Sequence, residues 1–516
     1  MPPSPDMDAI IPDAPEPQPT ATAPAPNKRG GSFAGDVLKL VSGTTFAQVI
    51  GILIVPILAR IFSPSDYGIN ALFNSLLGVV TVIACLRYEM TIVIAKDDGD
   101  AANMLAVSVF FSMITSLLTV PIVLLWSKPI SALFGSPELA PWLWMLPPSV
   151  FLMGVFTAMN NWNTRTRHFG RLAAAKLVNT IVSVGSQLVA GLAGMLNPGG
   201  LIGGSFVGTV VSTGGLAGAI WRDDRKQFRA AIRPAAMLDG IKRYKKFPLV
   251  SSWSALLNNI SWQLPSFLLV PFFGAEVNGF FAMGNRVLRM PMSLIGAAMS
   301  QAFFPRASVA MHEGNLPVVV KATYDRLVTY TLFPMLALTF IAKDLFVFVL
   351  GAQWAEAGVY TQILSLWMFF WFVSSPMSTL FGIMDIQERG LRINLILFLS
   401  RLAALLGGAL LNSPRAAMFF FSGTGVLAYG YLSFSLLALN GIPFRTTMRT
   451  IWHSFRLFIP LAIILIGLIL LKAPGWIGVV IALLACGGYY IYVFVHDPEM
   501  MATLKKIKPI KKLFHL

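Results

Sequence analysis

The chain has 516 residues, of which 56% are hydrophobic and 12% charged, and its mean hydropathy is +0.70. This composition excludes an ordinary soluble protein of two or three domains and is typical of a membrane protein. The formal net charge of +16 does not indicate a nucleic-acid-binding protein, because the basic residues lie in short segments between apolar runs, where they set membrane orientation.

The first 35 residues are predicted to form a disordered cytoplasmic tail. Nine prolines occur within the first 29 residues, together with alanine and acidic residues and without an apolar core. Such a segment cannot bury enough surface to fold, and it lacks the features of a signal peptide.

The rest of the chain predicts an all-α polytopic membrane protein. Its apolar runs have the roughly 20 residues that a helix needs to cross a bilayer, whereas a barrel would show shorter alternating stretches. Fourteen runs are predicted to span the membrane: 37–61, 69–88, 103–126, 142–161, 172–196, 199–220, 248–272, 279–303, 322–341, 359–383, 393–411, 416–439, 456–472 and 475–495.

The basic residues divide unevenly between alternate loops. One set of loops is rich in lysine and arginine and includes both tails, whereas the opposite set holds little beyond Lys128, Lys343, Arg415 and Lys472. Cytoplasmic loops carry the excess of basic residues, so both termini are predicted to be cytoplasmic.

The stretch "WRDDRKQFRAAIRPAAMLDGIKRYKK" at 221–246 is a long polar interruption in the middle of the chain. Its nine basic and three acidic residues either bind anionic lipid or simply follow the orientation rule. The predicted organisation is an N-lobe at 36–220 (helices 1–6), a basic cytoplasmic linker at 221–247, a C-lobe at 248–440 (helices 7–12), helices 13–14 at 441–497 and a basic cytoplasmic tail at 498–516.

A weak internal repeat supports this division. "VPILARIFSPSDYGINALF" near the start and "SFLLVPFFGAEVNGFFAMG" after the linker both run from one helix through a tight turn into the next. A shift of 211 residues superposes Phe62 on Phe273, Gly68 on Gly279 and Ala71 on Ala282. Two six-helix halves in parallel orientation are therefore predicted, as in transporters with parallel repeats.

Patterns typical of soluble enzymes lack the context that they need. "GTGVLA" at 423–428 resembles a dinucleotide-binding turn, but it lies inside an apolar run with no strand before it. Cys85 and Cys486 lie in apolar runs and are predicted to be packing residues. The five histidines are scattered, so no metal site, no cofactor and no catalytic residue are predicted.

The informative polar residues are arginines at membrane depth. Arg286 and Arg289 lie three residues apart in the run 279–303 and so share one helix face, with Asn285 beside them. The pair costs about 5–7 kcal/mol near the bilayer centre, so this face is predicted to line the bundle interior or a wet cavity. Arg401, in the middle of the run 393–411, is a further candidate, although its side chain could instead snorkel to the interface.

Two more arginines are candidates near helix ends. Arg87 and Glu89 lie at the predicted cytoplasmic rim, where Arg87 either binds phosphate at the cavity mouth or anchors the interface together with Tyr88. Arg60, beside the first outer turn, is similarly ambiguous. None of the 23 carboxylates is predicted in the middle of a helix. A cavity with buried cations and few acids selects anionic cargo.

Two stretches resemble a known family. "GTTFAQVIGILIVPILARIFSPSDYGINALF" followed by "LRYEMTIVIA" resembles the opening helices of Wzx-type polysaccharide flippases of the multidrug/oligosaccharidyl-lipid/polysaccharide (MOP) exporter superfamily, and "NGFFAMGNRVLRMPMSLIGAAMSQAFFPRAS" resembles their eighth helix. The resemblance extends over about residues 36–440. It implies two six-helix lobes in a MATE-like V-shaped arrangement, with two more helices at the C-terminus.

The resemblance also implies a function. Such proteins are transporters, not enzymes, and translocate undecaprenyl-diphosphate-linked oligosaccharide repeat units across the bacterial inner membrane by alternating access, for O-antigen, lipopolysaccharide or exopolysaccharide synthesis. Arg286, Arg289, Asn285, Arg87, Arg60 and Arg401 would form the cationic site. Membrane lipids, a polysaccharide polymerase and a chain-length regulator are the implied partners, and coupling to a proton or sodium gradient is expected, without an assigned carrier residue.

Three other functions remain open at this stage. The first is a multidrug antiporter of the MATE type, and the second is a flippase for the peptidoglycan precursor lipid II. The third, a membrane-embedded polymerase or glycosyltransferase, needs catalytic acids or a large outer loop, which the sequence does not display.

Overall fold

A computed structural model of the protein describes residues 33–291 and 297–496. Within these ranges the regular structure is helical throughout, as the sequence predicts. The α-helices are α1 Phe33–Leu53, α2 Val55–Ile61, α3 Pro64–Ala84, α4 Thr91–Ile94, α5 Asp98–Leu133, α6 Leu146–Arg165, α7 Phe169–Leu192, α8 Pro198–Ala231, α9 Pro234–Arg243, α10 Ser252–Phe273, α11 Ala275–Pro291, α12 Ala297–His312, α13 Leu316–Leu350, α14 Ala355–Met377, α15 Leu380–Ile383, α16 Gln387–Leu410, α17 Pro414–Leu439, α18 Phe444–Leu470 and α19 Gly475–His496.

Twelve helical stretches in the described part of the chain are long and apolar enough to cross a membrane. The protein is therefore a multi-pass membrane protein. Of the fourteen predicted runs, the remaining two overlap α10 and the pair α11 and α12. Helix α10 is long enough to span, but Asn258, Asn259 and Gln263 lower its hydropathy, and it is not among the twelve.

Polar caps define where several of these helices begin. Ser63 and Asp66 form a reciprocal capping box at the start of α3, in which the Ser63 side chain accepts from the Asp66 N–H and Asp66 accepts from the Ser63 N–H at 2.9 Å. The side chains of Asp97, Asn197 and Ser413 each accept one backbone N–H at the start of α5, α8 and α17, without a reciprocal bond. These caps pair N–H groups that a helix end otherwise leaves unsatisfied in an apolar environment.

Breaks in the helices also have local causes. The first predicted span divides at Ile54 into α1 and α2, because Pro56, two residues further on, cannot donate a hydrogen bond to the preceding turn. The second ends at Ala84, earlier than predicted, in a turn where Leu86 and Arg87 have φ values of 48° and 64°.

The predicted linker is more helical than expected. Helix α8 continues to Ala231, and α9 follows it, so 221–246 is not an irregular interruption. The segment is held against the N-lobe: Arg243 pairs with Asp100 at 3.0 Å, and the Asn103 amide donates to the Ala231 carbonyl at 2.9 Å.

The chain packs as two helical lobes. Helix α7 packs against α1 and α8 in the N-lobe, whereas α13, α14, α16 and α17 form the centre of the C-lobe. The last two helices, α18 and α19, lie against α13, where Tyr489 stacks on Phe333 with ring centroids 4.2 Å apart. The predicted tail at 498–516, and residues 1–32 of the predicted N-terminal tail, lie outside the described residues.

The lobes meet where α3 crosses α11. A Cβ atom on Gly68 would lie 1.7 Å from the carbonyl oxygen of Ala275, and a Cβ atom on Gly279 would lie 1.8 Å from that of Pro64. Under the 211-residue shift, Pro64 corresponds to Ala275 and Gly68 to Gly279, so the two contacts join equivalent residues of the two halves. The contact is therefore reciprocal, as expected at a two-fold axis between equivalent halves.

Further hydrogen bonds close the same end of the lobes. The Trp354 indole and the Gln353 amide both donate to the Ala59 carbonyl, at 2.7 and 2.6 Å. The Asn278 amide donates to the Gly68 carbonyl at 2.8 Å. We call this end, formed by residues 59–68, 274–279 and 349–354, the closed end.

Candidate functional site: a cationic cavity

A large cavity lies between the N-lobe and α11. Its volume is about 870 Å³, and its wall is formed by α1, α3, α6, α7 and α8 of the N-lobe and by one face of α11 from the C-lobe. A space of this size accommodates a sizeable polar ligand.

Helix α11 places two guanidinium groups on this wall. Arg286 and Arg289 both line the cavity, as their spacing of three residues within one helix allows. Arg286 lies deep in the protein and is nevertheless exposed to the cavity, and its Nη2 donates to the Gly51 carbonyl of α1 at 3.3 Å. Arg286 thus reaches from the C-lobe to the opposite lobe across the cavity.

Arg289 is positioned by aromatic rings. Its guanidinium carbon lies 4.8 Å from the centroid of Trp262 and 5.4 Å from that of Trp371. These cation–π contacts hold the side chain without neutralising it. The Arg289 Nε is buried and makes no hydrogen bond among the described residues.

The N-lobe wall carries a stripe of hydrogen-bonding side chains that the sequence analysis missed. On α7, Lys176, Asn179, Thr180, Ser183 and Gln187 face the cavity, with the spacing of three and four residues that defines one helix face. The stripe was visible as a polar periodicity in the run 172–196. The sequence analysis relied on arginines instead, because neutral polar residues cost far less in a membrane and so are a weaker signal of a cavity.

Helices α1, α3 and α8 add to this surface. Gln48, Asn70, Asn74 and Ser205 line the same space. Asn74 is exposed to it, although it lies in the middle of a membrane-spanning helix. Side chains of this kind both donate and accept, as sugar hydroxyl groups require.

The charged side chains that line the cavity among the described residues are all positive. Arg286, Arg289 and Lys176 line it, and no aspartate or glutamate does so within residues 33–291 and 297–496. None of these three cations forms an ion pair with a described carboxylate. In a space of low dielectric, such a set attracts anions strongly.

The other predicted site residues lie elsewhere. Asn285 is half-buried and is not on the cavity wall. Arg60 is exposed at the closed end, where its Nη2 donates to the Val349 carbonyl at 3.4 Å. Arg401 is buried inside the C-lobe and lines a separate, smaller cavity. The structure thus does not bring Asn285, Arg60 and Arg401 to the large cavity, and their role in substrate binding stays a prediction.

Arg87 also departs from its predicted position. Because α3 has already ended, Arg87 and Glu89 are not on one continuous helix, and their side chains approach to 3.5 Å. The Arg87 Nη2 also contacts the Met90 sulfur at 2.8 Å. Arg87 therefore does not line the large cavity, and the choice between phosphate binding and interface anchoring stays open for it. The substrate-binding role of Arg286 and Arg289 stays a prediction.

Comparison with known sequences places the chain in a polysaccharide biosynthesis family. Residues 57–359 match the family model described as "Polysaccharide biosynthesis protein". The succinoglycan biosynthesis transport protein ExoT of Rhizobium meliloti (strain 1021) is 24% identical over 317 residues, which cover 60% of this chain and 61% of that protein. The match thus spans less than two thirds of the relative's length.

Solved structures share the fold. The lipid II flippase MurJ, in an inward closed conformation, superposes with a TM-score of 0.71 at 14% identity, covering 89% of this chain and 99% of that one. An outward-facing MATE multidrug transporter of the MOP superfamily gives a TM-score of 0.55 at 14% identity, with 80% and 96% covered. The predicted MATE-like fold is confirmed.

Proposed function

The chain belongs to the polysaccharide biosynthesis protein family, as the resemblance of its first and eighth helices predicted, and from this premise we propose that it is a lipid-linked oligosaccharide flippase. Its substrate would be an undecaprenyl-diphosphate-linked oligosaccharide, moved from the inner to the outer leaflet of the bacterial inner membrane for surface or exported polysaccharide synthesis. The named transport activity of the Rhizobium relative supports this proposal.

One observation carries the proposal: the large cavity combines cations without described acids and a wall of neutral hydrogen-bonding groups. A diphosphate needs concentrated positive charge and several donors, which two guanidinium groups supply. Sugar hydroxyl groups need donors and acceptors, which the amides and hydroxyls of the N-lobe wall supply. An exporter of organic cations would require the opposite charge.

The arrangement suggests how one substrate would be held. Arg286 and Arg289 would bind the diphosphate from the C-lobe, while the sugars contact the N-lobe stripe that begins at Lys176. Each charged hydrogen bond contributes about 1.5–3 kcal/mol. The polyprenyl chain would stay in the lipid, since each of its buried CH₂ groups favours an apolar environment by about 0.8 kcal/mol.

The closed end would face the periplasm in this proposal, with both termini in the cytoplasm. The excess of lysine and arginine in the loops at the other end supports that orientation. Transport would then require the Gly68–Gly279 crossing to separate while the opposite ends of the lobes approach. Coupling of this cycle to a proton or sodium gradient is part of the proposal, with no carrier residue assigned.

The test is export in a strain whose own copy of this gene is deleted. Complementation with the Arg286→Ala, Arg289→Ala double variant should leave surface polymer absent, while the lipid-linked intermediate accumulates on the cytoplasmic leaflet. The matched control is Arg392→Ala, because Arg392 is an exposed arginine of α16 (74% exposed) outside the cavity. Normal export by the double variant would overturn the site assignment.

Purified protein distinguishes among substrates. In proteoliposomes, the wild type should translocate a fluorescent undecaprenyl-diphosphate-linked oligosaccharide. Translocation of lipid II alone would identify a flippase of the peptidoglycan precursor, and efflux of cationic drugs alone would identify a multidrug antiporter. Either result would contradict the proposed function.

A further inference from the structure

A second, smaller cavity lies inside the C-lobe, between α10 and α16. Ser254, Asn258 and Ser261 of α10 and Asn394 and Arg401 of α16 provide its polar wall, and its volume is about 50 Å³. It shares no lining residue with the large cavity. We call this space the C-lobe shaft.

The shaft leads from one end of the lobe toward its middle. Ser254 and Ser261 are seven residues apart on α10, which corresponds to about 10 Å along the helix axis. Asn394 and Arg401 have the same separation on α16. Arg401 and Ser261 are hydrogen-bonded to each other at the deep end, while Ser254, Asn258 and Asn394 are exposed nearer the mouth.

Arg401 is buried without an acidic partner. Only 4% of it is exposed, and its guanidinium donates to the Ser261 hydroxyl at 2.9 Å, the Ser261 carbonyl at 3.3 Å and the Tyr429 hydroxyl at 2.7 Å. No described carboxylate forms an ion pair with it. These partners satisfy several donors but leave a full positive charge inside the lobe.

A second positive charge lies close by. The Arg401 guanidinium carbon is 4.4 Å from the centroid of Trp262, and that of Arg289 is 4.8 Å from the same centroid. Two arginines therefore share one indole ring, with no described acid between them. Cation–π attraction offsets part of the cost of burying them, but their mutual repulsion remains.

The groups along the shaft complement an anion. Asn258 and Asn394 can each turn an amide N–H₂ toward the space, Ser254 can turn a hydroxyl, and Arg401 supplies a charge at the end. A cation would lie next to the Arg401 guanidinium, and no carboxylate among the described residues lines the shaft to offset the repulsion. A water molecule occupies roughly 10–15 Å³ on this measure of volume, so the space holds a small ion with some water but no sugar.

We propose that the C-lobe shaft binds a small inorganic anion such as chloride, held by Arg401 at its deep end and by the side chains of Asn258 and Asn394. The anion compensates the charge shared by Arg401 and Arg289. This site goes beyond the proposed function and does not depend on it, since no residue of the shaft lines the substrate cavity.

The test is equilibrium binding of radioactive chloride to the full-length purified protein, with gluconate as the inert anion. The Arg286→Ala variant serves as background, because the large cavity then attracts chloride less. One saturable site per protein is expected. Arg401→Met should weaken binding by about tenfold or more, since a charged hydrogen bond contributes about 1.5–3 kcal/mol.

Two further variants separate anion binding from a structural role of Arg401. Asn394→Leu retains Arg401 but blocks the mouth at an exposed position, so it should weaken chloride binding while the protein remains monodisperse. Arg392→Met, on the same helix but paired with Glu388 at 3.8 Å, should bind chloride as the background does.

Thermal unfolding gives an independent measurement. Chloride should raise the unfolding midpoint of the Arg286→Ala background and have less effect on the Asn394→Leu variant, because a ligand stabilises the state that binds it. Absence of saturable chloride binding, or binding unchanged by both Arg401→Met and Asn394→Leu, would overturn the proposal. A variant that loses oligosaccharide export but binds chloride normally would report on the large cavity alone and would leave the chloride site supported.

Discussion

The contact between Gly68 and Gly279 predicts that a single added methyl group will open the closed end. In Gly68→Ala, the new Cβ would lie 1.7 Å from the Ala275 carbonyl oxygen, and in Gly279→Ala it would lie 1.8 Å from that of Pro64. Cβ atoms in proteins do not approach other atoms within 3.0 Å. Both obstacles are backbone atoms, so α3 and α11 must move apart by more than about 1 Å.

The magnitude follows from the cost of overpacking. Inserting a methyl group into a tightly packed contact costs about 1–3 kcal/mol. This penalty applies only to the conformation in which α3 and α11 touch, so it lowers the population of that state relative to an open one by about 5- to 150-fold. The reciprocal geometry predicts similar effects for the two substitutions.

The assay measures the distance between the lobes by pulsed electron paramagnetic resonance. Spin labels replace Leu133 at the end of α5 and Phe348 near the end of α13, which are 74% and 57% exposed, in a background carrying Cys85→Ala and Cys486→Ala. Gly68→Ala and Gly279→Ala should both shift the distribution toward longer distances. Gly203→Ala in α8 is the control, because nothing lies within 4 Å of its new Cβ.

Two results would refute the reasoning. Distance distributions of both variants that match those of the wild type would mean that the lobes do not rely on this crossing. A shift of equal size in Gly203→Ala would mean that any added methyl group perturbs the bundle. Monodisperse elution of each variant checks that it remains folded.

Three other predictions concern separate parts of the molecule. In a ligand titration, Lys176→Met should weaken binding of a diphosphate-linked oligosaccharide, but by less than Arg286→Ala does. The Lys176 side chain is flexible, whereas Arg286 is held by a hydrogen bond to the opposite lobe. Binding by Lys176→Met that equals or exceeds that of the wild type would contradict this. Trp354→Phe should destabilise the closed end by about 1 kcal/mol, since the indole no longer donates to the Ala59 carbonyl, and a thermal midpoint at or above that of the wild type would exclude it. Burial raises the pKa of the Glu89 carboxyl above its ordinary value of 4.5, and Arg87 offsets only part of that rise. The folded protein is therefore less stable once the pH rises from 4.5 through the folded-state pKa of Glu89. Glu89→Gln should raise the unfolding midpoint near neutral pH but not below about pH 4.5, and melting curves over a pH series would detect or refute this difference.

Much of the fold was predictable because the membrane restricts the choices of the chain. Apolar runs of sufficient length must be helices, and each predicted run overlaps one or two of the observed helices. The predicted second run begins at 69, five residues after the start of α3, because the capping residues Ser63 and Asp66 were not used as a start signal. The turn after Ala84 was not predictable, because two successive non-glycine residues with positive φ have no sequence signature and are held in place by tertiary packing.

The site was predictable only in its most costly residues. Arg286 and Arg289 stood out because a guanidinium in a membrane must be sheltered, and the structure places both on the cavity wall. For Arg401 the same argument left two possibilities open, a cavity or snorkelling to the interface, and the structure buries this side chain inside the C-lobe. Helix rotation and the neighbours of α16 decide that, and neither is visible in one sequence.

The internal repeat shows that the two arginines of the cavity have no charged counterparts in the N-lobe copy. Subtracting 211 places Arg286 on Ser75 and Arg289 on Gly78. In the N-lobe copy, these positions serve packing: Ser75 donates to the Gln263 side chain at 3.1 Å, and a Cβ on Gly78 would lie 3.0 Å from the Gln263 amide nitrogen. The duplicated helices therefore share the crossing at Gly68 and Gly279, where both copies must be small, but not the cations.

Arg286 and Arg289 occur in the C-lobe copy only, whereas the glycine contact between the lobes uses both copies. The charge of the cavity can therefore differ without a change in that contact. Asn74 lines the cavity, whereas Asn285, its counterpart under the 211-residue shift, does not. In the proposed function the N-lobe copy would supply hydrogen bonds for sugars and the C-lobe copy would supply charge for the diphosphate. A substrate bound to both would then span the two lobes, so its binding energy would depend on their relative position, as alternating access requires.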